Sequence, residues 1–225
     1  MKVVFKDFNG AGAILEQSLA VEWGELSAVL ATMPLHLKPS DQAGKQGSAI
    51  FDPVSTNAAI KLAMKAIDWG TNTKIPRDYN FLGKDVDFLK SGLLVEAQFS
   101  NYPFFLNNIV RSALLSKSKA LLGDKPVDAV VIVTKAHMFP SSNSTLYYEQ
   151  AVNQMSEFAK HGVFDVPVRI VGLFEEVDVD VNAVWVTFPA RYGRENDSSE
   201  EVTCRLSRPT SKRPISQVEI IRPRR

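Results

Sequence analysis

A chain of 225 residues, 45% of them hydrophobic, can bury one large core, or one core with a small satellite. No apolar run approaches the roughly 18 residues of a membrane-spanning helix. The opening Met1-Lys2-Val3-Val4-Phe5-Lys6-Asp7 lacks the apolar core and cleavage site of a signal peptide, so a cytoplasmic protein with no membrane partner is expected. The single cysteine, Cys204, excludes an internal disulfide and a cysteine-based zinc site, and His36, His137 and His161 are too scattered for a histidine metal cluster. A net charge of +1 does not announce a nucleic-acid partner, but the charge is uneven. Acids crowd residues 175–201, and bases crowd 205–225, ending in Arg222, Arg224 and Arg225. Such a basic tail suits phosphates or simply solvent.

In chain order, Leu19, Trp23, Leu26 and Leu30 recur at helical spacing and predict one helix over 11–32, ended by Pro34. Residues 39–48 read as a polar loop, and a second helix runs from Pro53 or Ser55 to Ile67. Residues 72–80 look irregular. Val86 to Phe88 reads as a short strand, Lys90-Ser91-Gly92 as a turn and 93–99 as a second strand, together a hairpin. A third helix spans 104 to about 122, with Pro103 well placed at its first turn. Residues 128–134 form a β-branched run and predict a buried strand, followed by a loop over 135–143. Ser144 caps a fourth helix over 146–161, closed by Gly162, and 166–174 is another strand. Short strands follow at 183–188, 202–206 and 218–221. This order predicts an α/β fold, a mixed central sheet flanked by helices. The expected organisation is a core over 1–180 and a small β-rich subdomain with a basic tail over 181–225.

Chemistry concentrates on the hairpin. Alternate residues of a strand share a face, so Glu96 and Gln98 lie on one side, and Val95, Ala97 and Phe99 form an apolar side expected to be the buried one. The hairpin can bring Asp87 beside Glu96, with the Ala97 carbonyl and the Gln98 amide close by. An all-oxygen cluster of this kind suits Mg²⁺. Alternation alone also predicts polar residues on a solvated hairpin face, so the residues by themselves leave both readings open. Asp85 is read as a surface residue and His137 as a loop or core residue. Other motifs fail: Gly10-Ala11-Gly12 is followed by Leu15 where a dinucleotide fingerprint needs glycine, and no phosphate-binding Walker loop occurs, so no nucleotide cofactor is expected.

Asp87, eight residues, then Glu96-Ala97-Gln98 follows the spacing of the PD-(D/E)xK nuclease signature, with Gln98 in place of its lysine. The flanking words are more specific: Val95 to Phe104 as a block, Met33-Pro34-Leu35-His36, Ser40-Asp41-Gln42-Ala43, Ile50-Phe51-Asp52-Pro53-Val54, His137-Met138-Phe139-Pro140 and Leu146-Tyr147-Tyr148-Glu149-Gln150-Ala151. Together they resemble the BglII family of type II restriction endonucleases, densely over residues 1–175 and thinly beyond.

The resemblance implies a restriction-endonuclease-like fold and a bacterial homodimer of a restriction-modification system that cuts double-stranded DNA with Mg²⁺. On this reading Asp87, Glu96 and the Ala97 carbonyl hold the metal. Gln98, which family members also carry, is neutral and can only position water. Asn72 helps place the nucleophile, or is merely an asparagine in a turn. Ser100, Asn101, Asn143 and Ser144 contact DNA bases, and Asn143-Ser144 can equally cap the fourth helix. Arg191-Tyr192-Gly193-Arg194 resembles a C-terminal family motif, so Tyr192 and Arg194 reach DNA from the β subdomain. The implied target is a GATC-centred palindrome, AGATCT, cut after its first A to leave four-base 5′ overhangs. The alternative is a DNA-binding protein of this fold that has lost catalysis, or a non-specific repair nuclease.

Overall fold

The structure, a computed structural model, describes residues 1–137, 139–142, 145–189, 196–210 and 216–221. In chain order the elements are β1 (Lys2–Phe8), α1 (Ala11–Glu16), α2 (Ala20–Thr32), β2 (Leu35–Pro39), β3 (Ala49–Phe51), α3 (Pro53–Ala66), β4 (Gly70–Lys74), β5 (Asp85–Lys90), β6 (Leu93–Ala97), α4 (Pro103–Lys117), β7 (Ala129–Lys135), α5 (Tyr148–Lys160), β8 (Val168–Phe174), β9 (Asp180–Thr187), β10 (Ser198–Ser207) and β11 (Gln217–Ile221). A 3₁₀ turn at Arg77–Leu82 links β4 to β5.

The main sheet has six strands in the order β1-β8-β7-β6-β5-β4. Its centre, β6-β7-β8, is parallel, and both flanks are antiparallel. Parallel neighbours need crossovers, and α4 and α5 supply them. All seven residues of β7 are buried, as expected of a strand covered on both faces. Its alternation divides the core: Ala129, Val131 and Val133 pack with Leu15, Leu26, Leu30, Ile60 and Met64 from α1, α2 and α3. Val130 and Ile132 pack with Phe105, Ile109, Ala151 and Met155 from α4 and α5. This is the mixed, helix-flanked sheet expected from the sequence.

A second sheet runs β11-β10-β9-β2-β3. The three predicted C-terminal strands fall within β9, β10 and β11, but they do not stand alone. Strand β9 pairs in parallel with β2, through Leu35↔Ala183, His36↔Val184 and Leu37↔Trp185, so the N-terminal part of the chain completes the sheet. No helix among the described residues is long and apolar enough to cross a membrane.

Several boundaries differ from the expectation. The single helix over 11–32 is two, because the Leu19 N–H bonds back to the Ile14 carbonyl at 3.0 Å and closes α1 before α2 begins. Helix α4 stops at Lys117 rather than near 122, where Ser118 and a left-handed Lys119 turn the chain. Helix α5 starts at Tyr148, not 146. Its N-cap is Tyr147 rather than Ser144, with the Tyr147 N–H donating to Gln150 Oε1 at 3.1 Å. Leu146 stays outside the helix, its carbonyl accepting from Thr134 Oγ1 at 3.0 Å and Lys135 Nζ at 3.0 Å.

Helix α3 begins where Asp52 stands before Pro53. The buried Asp52 carboxylate accepts the N–H groups of Val54 at 3.1 Å and Ser55 at 3.2 Å, two donors the helix cannot satisfy itself. Asp52→Ala is expected to cost about 1–2 kcal/mol, the upper part of the range for a lost N-cap. Denaturant unfolding checks this, and a loss below about 0.5 kcal/mol, the bottom of that range, would refute the capping role.

Candidate active site

The hairpin closes through Ser91 and Gly92, with φ of 51° and 94°. Positive φ at both positions is what a two-residue hairpin turn asks for. At Gly92 a Cβ would also lie 2.9 Å from the Pro126 carbonyl, so glycine is needed there twice over. The turn sets the register Lys90↔Leu93, Leu89↔Leu94 and Phe88↔Val95. The next pair would be Asp87 and Glu96, and there the ladder gives way. Asp87 Oδ2 accepts the Ala97 N–H at 2.9 Å, so a carboxylate replaces the backbone partner. The two carboxyl groups come within hydrogen-bonding reach of each other, as the hairpin predicted.

The face they occupy is not the solvated one. Glu96 is 4% exposed, as deeply buried as Val95 and Phe99 on the opposite side. This corrects the expectation that only the apolar face of β6 is covered. Helix α4 lies over the Glu96 face and brings its own polar groups. Arg111 Nη2 donates to Glu96 Oε1 and, at 3.2 Å, to Asn108 Oδ1. Asn108 Nδ2 donates to Gln98 Oε1 at 3.4 Å, and Gln98 Nε2 donates to the Ser100 carbonyl. A chain of hydrogen bonds therefore runs Glu96–Arg111–Asn108–Gln98 and on into the loop holding Ser100 and Asn101. Gly83, at φ 145°, lets backbone press against the Arg111 guanidinium, where a Cβ would collide with Nη1.

Burial decides the protonation of the pair. It pushes Asp87 above the usual carboxylate range, against the Ala97 N–H and the Arg111 charge. It pushes Glu96 further, to about 8, aided by the Asp87 charge and opposed by Arg111. Two carboxylates in a dry corner, with one guanidinium on Glu96, repel each other, and burial favours the protonated form of Glu96.

Such a pair fits a hard divalent cation, whose charge would relieve the repulsion. Among the described residues no third Asp, Glu, His or Cys joins them. The fit is therefore to an ion that takes one or two carboxylates and fills its other positions with water and phosphate oxygens, the habit of Mg²⁺.

Other predicted residues gather around this corner. Asn72 lies on β4, not in an irregular stretch: the pairs Thr71↔Phe88 and Thr73↔Val86 place it across from Asp87. It is exposed, with φ 51°, and its Oδ1 accepts from Lys61 Nζ. Asp85 points elsewhere, to Lys74 Nζ at 2.8 Å. Ser100 and Asn101 are exposed between β6 and α4, and the Asn101 carbonyl accepts the Phe104 N–H at 2.9 Å to start the helix. Asn143, Ser144, Tyr192 and Arg194 lie outside the described residues.

Sequence reasoning missed Arg111 and Asn108. Their signal was a polar i, i+3 pair embedded among the apolar positions Phe105, Ile109 and Ala113 of one helix.

Comparison with known proteins identifies the family. A sequence model of the restriction endonuclease BglII/BglIII family matches residues 3–173. The type II restriction enzyme BglII of Bacillus subtilis is 50% identical over 195 residues, 86% of each chain. The chain belongs to the BglII/BglIII restriction endonuclease family. Membership makes it a type II restriction endonuclease. The fold agrees: the crystal structure of BglII complexed with a DNA 16-mer matches with a TM-score of 0.93 at 45% identity, over 98% of this chain and 100% of that one. Free BglII matches with a TM-score of 0.75 at 40% identity over the same shares.

Proposed function

We propose that this restriction endonuclease acts as a homodimer that cuts both strands of duplex DNA at AGATCT, after the first A, with Mg²⁺ as cofactor. The observation that carries the chemistry is the buried Asp87–Glu96 pair, which ends a hairpin ladder and is held by Arg111. Asp87, Glu96 and the Ala97 carbonyl are the oxygens that hold the ion. When bound, it acidifies and orients water and neutralises charge developing on the phosphate.

Arg111 fixes the rotamer of Glu96 and opposes the effect of burial on its charge. Gln98 cannot accept a proton near neutral pH, so its carboxamide, tied to Asn108, positions rather than deprotonates. Asn72, opposite Asp87 on the edge strand, completes the polar rim where the attacking water is placed.

Residues 1–180 carry the chemistry. The strands within 181–225 embrace the DNA, with Tyr192 and Arg194 reaching it and the basic tail lying on phosphates. Ser100, Asn101, Asn143 and Ser144 read base edges: asparagine bonds adenine N6 and N7 together, while serine tolerates several partners. A palindrome presents the same half-site twice, so a two-fold dimer reads it and each subunit cuts one strand.

Digestion of a set of GATC-centred hexamers in Mg²⁺ tests the reading. Cutting at AGATCT with four-base 5′ overhangs is expected. Preference for GGATCC or TGATCA would overturn the outer base pair. A smear would indicate a non-specific nuclease, and binding without cutting a protein that has lost catalysis.

A further inference from the structure

Lysine is seldom fully buried, and when it is, its ammonium is normally paired with a carboxylate. Lys135 is 0% exposed at the C-terminal end of β7, the most deeply buried strand. No ion pair holds it among the described residues. Instead all its donors go to neutral oxygens: the Phe99 carbonyl at 2.7 Å, the Leu146 carbonyl at 3.0 Å and Thr145 Oγ1. Thr145 Oγ1 donates in turn to the same Phe99 carbonyl at 2.8 Å. The ring centroids of Tyr147 and Phe51 lie 4.8 Å and 5.8 Å from Nζ. Burial lowers the Lys135 pKa to about 7, which shows how unfavourable the place is for a charge. A methionine would fill the same volume without that cost.

The three acceptors belong to two segments with one feature in common. Phe99 follows Gln98 and immediately precedes Ser100 and Asn101. Thr145 and Leu146 immediately follow Asn143 and Ser144. The residues proposed to read bases therefore sit directly beside the anchors on both sides of one ammonium.

We propose that Lys135 is a positioning residue for site selection: it clamps the strand end bearing Gln98, Ser100 and Asn101 to the Thr145–Leu146 segment, so that the two base-reading stretches and the catalytic strand move as one body. The inference rests on the function proposed above. Its consequence is that a mismatched base met by one stretch disturbs the other, and with it the geometry at Gln98.

Lys135→Met makes a clean test because it leaves no acceptor bare. The Phe99 carbonyl keeps Thr145 Oγ1, and the Leu146 carbonyl keeps Thr134 Oγ1 at 3.0 Å. Thr145→Val breaks the other arm of the clamp and serves as the second variant should the first fold poorly. For each, kcat/KM is measured on AGATCT and on duplexes altered at one base pair, beside binding to random duplex without Mg²⁺. The ratio of cognate to altered cleavage is expected to fall about fivefold or more, the low end of what one lost base contact does to discrimination. Binding to random duplex should be unchanged. A ratio equal to the parent's in both variants, or an equal loss on all duplexes as a merely structural residue would give, overturns the proposal. A parent protein that cuts with no site preference overturns the functional reading first, and this inference with it.

Discussion

Asp87→Asn is expected to lower cleavage about a thousandfold or more, because removing a metal-binding carboxylate forfeits several kcal/mol of transition-state stabilisation. Binding of cognate DNA should survive, since the contacts that position and read the duplex lie elsewhere. The replacement is conservative for the fold. An Asn oxygen can still accept the Ala97 N–H that Asp87 Oδ2 holds at 2.9 Å. Glu96→Gln keeps a carboxamide oxygen for Arg111 and should behave alike. Near-normal cleavage by Asp87→Asn would end the assignment.

A second readout separates the electrostatics from the chemistry. The folded pKa of Glu96, about 8, lies above its ordinary value of 4.5. Between those values the native protein binds more protons than the unfolded chain, so stability falls as pH rises through the window. Below it the carboxyl is protonated in both states and the penalty is absent; above it the penalty is complete. Metal-free protein should therefore melt at progressively lower temperature from about pH 5 to pH 8, and Glu96→Gln should flatten that slope. Adding Mg²⁺ should reverse it, because cation binding requires Glu96 deprotonated and so strengthens with pH. Melts in chelator and in Mg²⁺ across the range would show both, and a parallel slope in the variant would place the pH sensitivity elsewhere.

The parts of this molecule that were legible in the sequence are those whose signal is local. Ser91-Gly92 between apolar runs specifies the hairpin, and the β-branched run through β7 announces a strand covered on both sides. The carboxylate pair followed from the hairpin register alone. What stayed hidden depends on distant partners. Strand β4, Gly-Thr-Asn-Thr-Lys, is an exposed polar edge with no alternation to read, so Asn72 looked like part of an irregular segment. Strand β1 has no alternation of burial, and it is defined by its pairing with β8 at the other end of the main domain's sequence. The second sheet depends on β2 pairing in parallel with β9, distant in sequence, which no local pattern encodes. Glu96 looked solvated because alternation equates polar with exposed. Only the packing of α4 shows that Arg111 and Asn108 make a buried carboxylate tolerable there. The pattern Leu19, Trp23, Leu26 and Leu30 belongs to α2 and its N-cap and carries no mark of the bend before it, so one helix was expected where the chain builds two.

The largest expected loss of stability comes from the far side of the main sheet. Arg169, on β8, is fully buried, and its guanidinium carbon lies 4.1 Å from the Phe5 ring centroid and 4.3 Å from that of Trp23, two rings that meet each other edge-on. Asp7 on β1 meets it in two bonds, Nε to Oδ1 at 2.6 Å and Nη2 to Oδ2 at 2.7 Å, with Glu16 of α1 only at 3.6 Å. Gly12 allows this approach, since a Cβ there would stand 2.8 Å from Asp7 Oδ2. The pair thus joins β1 and β8, and Arg169 reaches on to α1 and α2. Removing Asp7 leaves a fully buried guanidinium with only the distant Glu16 carboxylate, so Asp7→Ala should cost about 3–5 kcal/mol. For a chain of this size each kcal/mol shifts the melting temperature by about 2–4 °C, so a fall of roughly 6–20 °C is expected. Replacing both partners with apolar residues, Asp7→Leu with Arg169→Met, should recover most of that loss, because the desolvation of the guanidinium disappears together with its partner. Cleavage at low temperature should be unaffected in either variant, since β1 and β8 carry none of the proposed site residues. If the single and double variants melt together, the cost belongs to packing around Trp23 and not to the stranded charge.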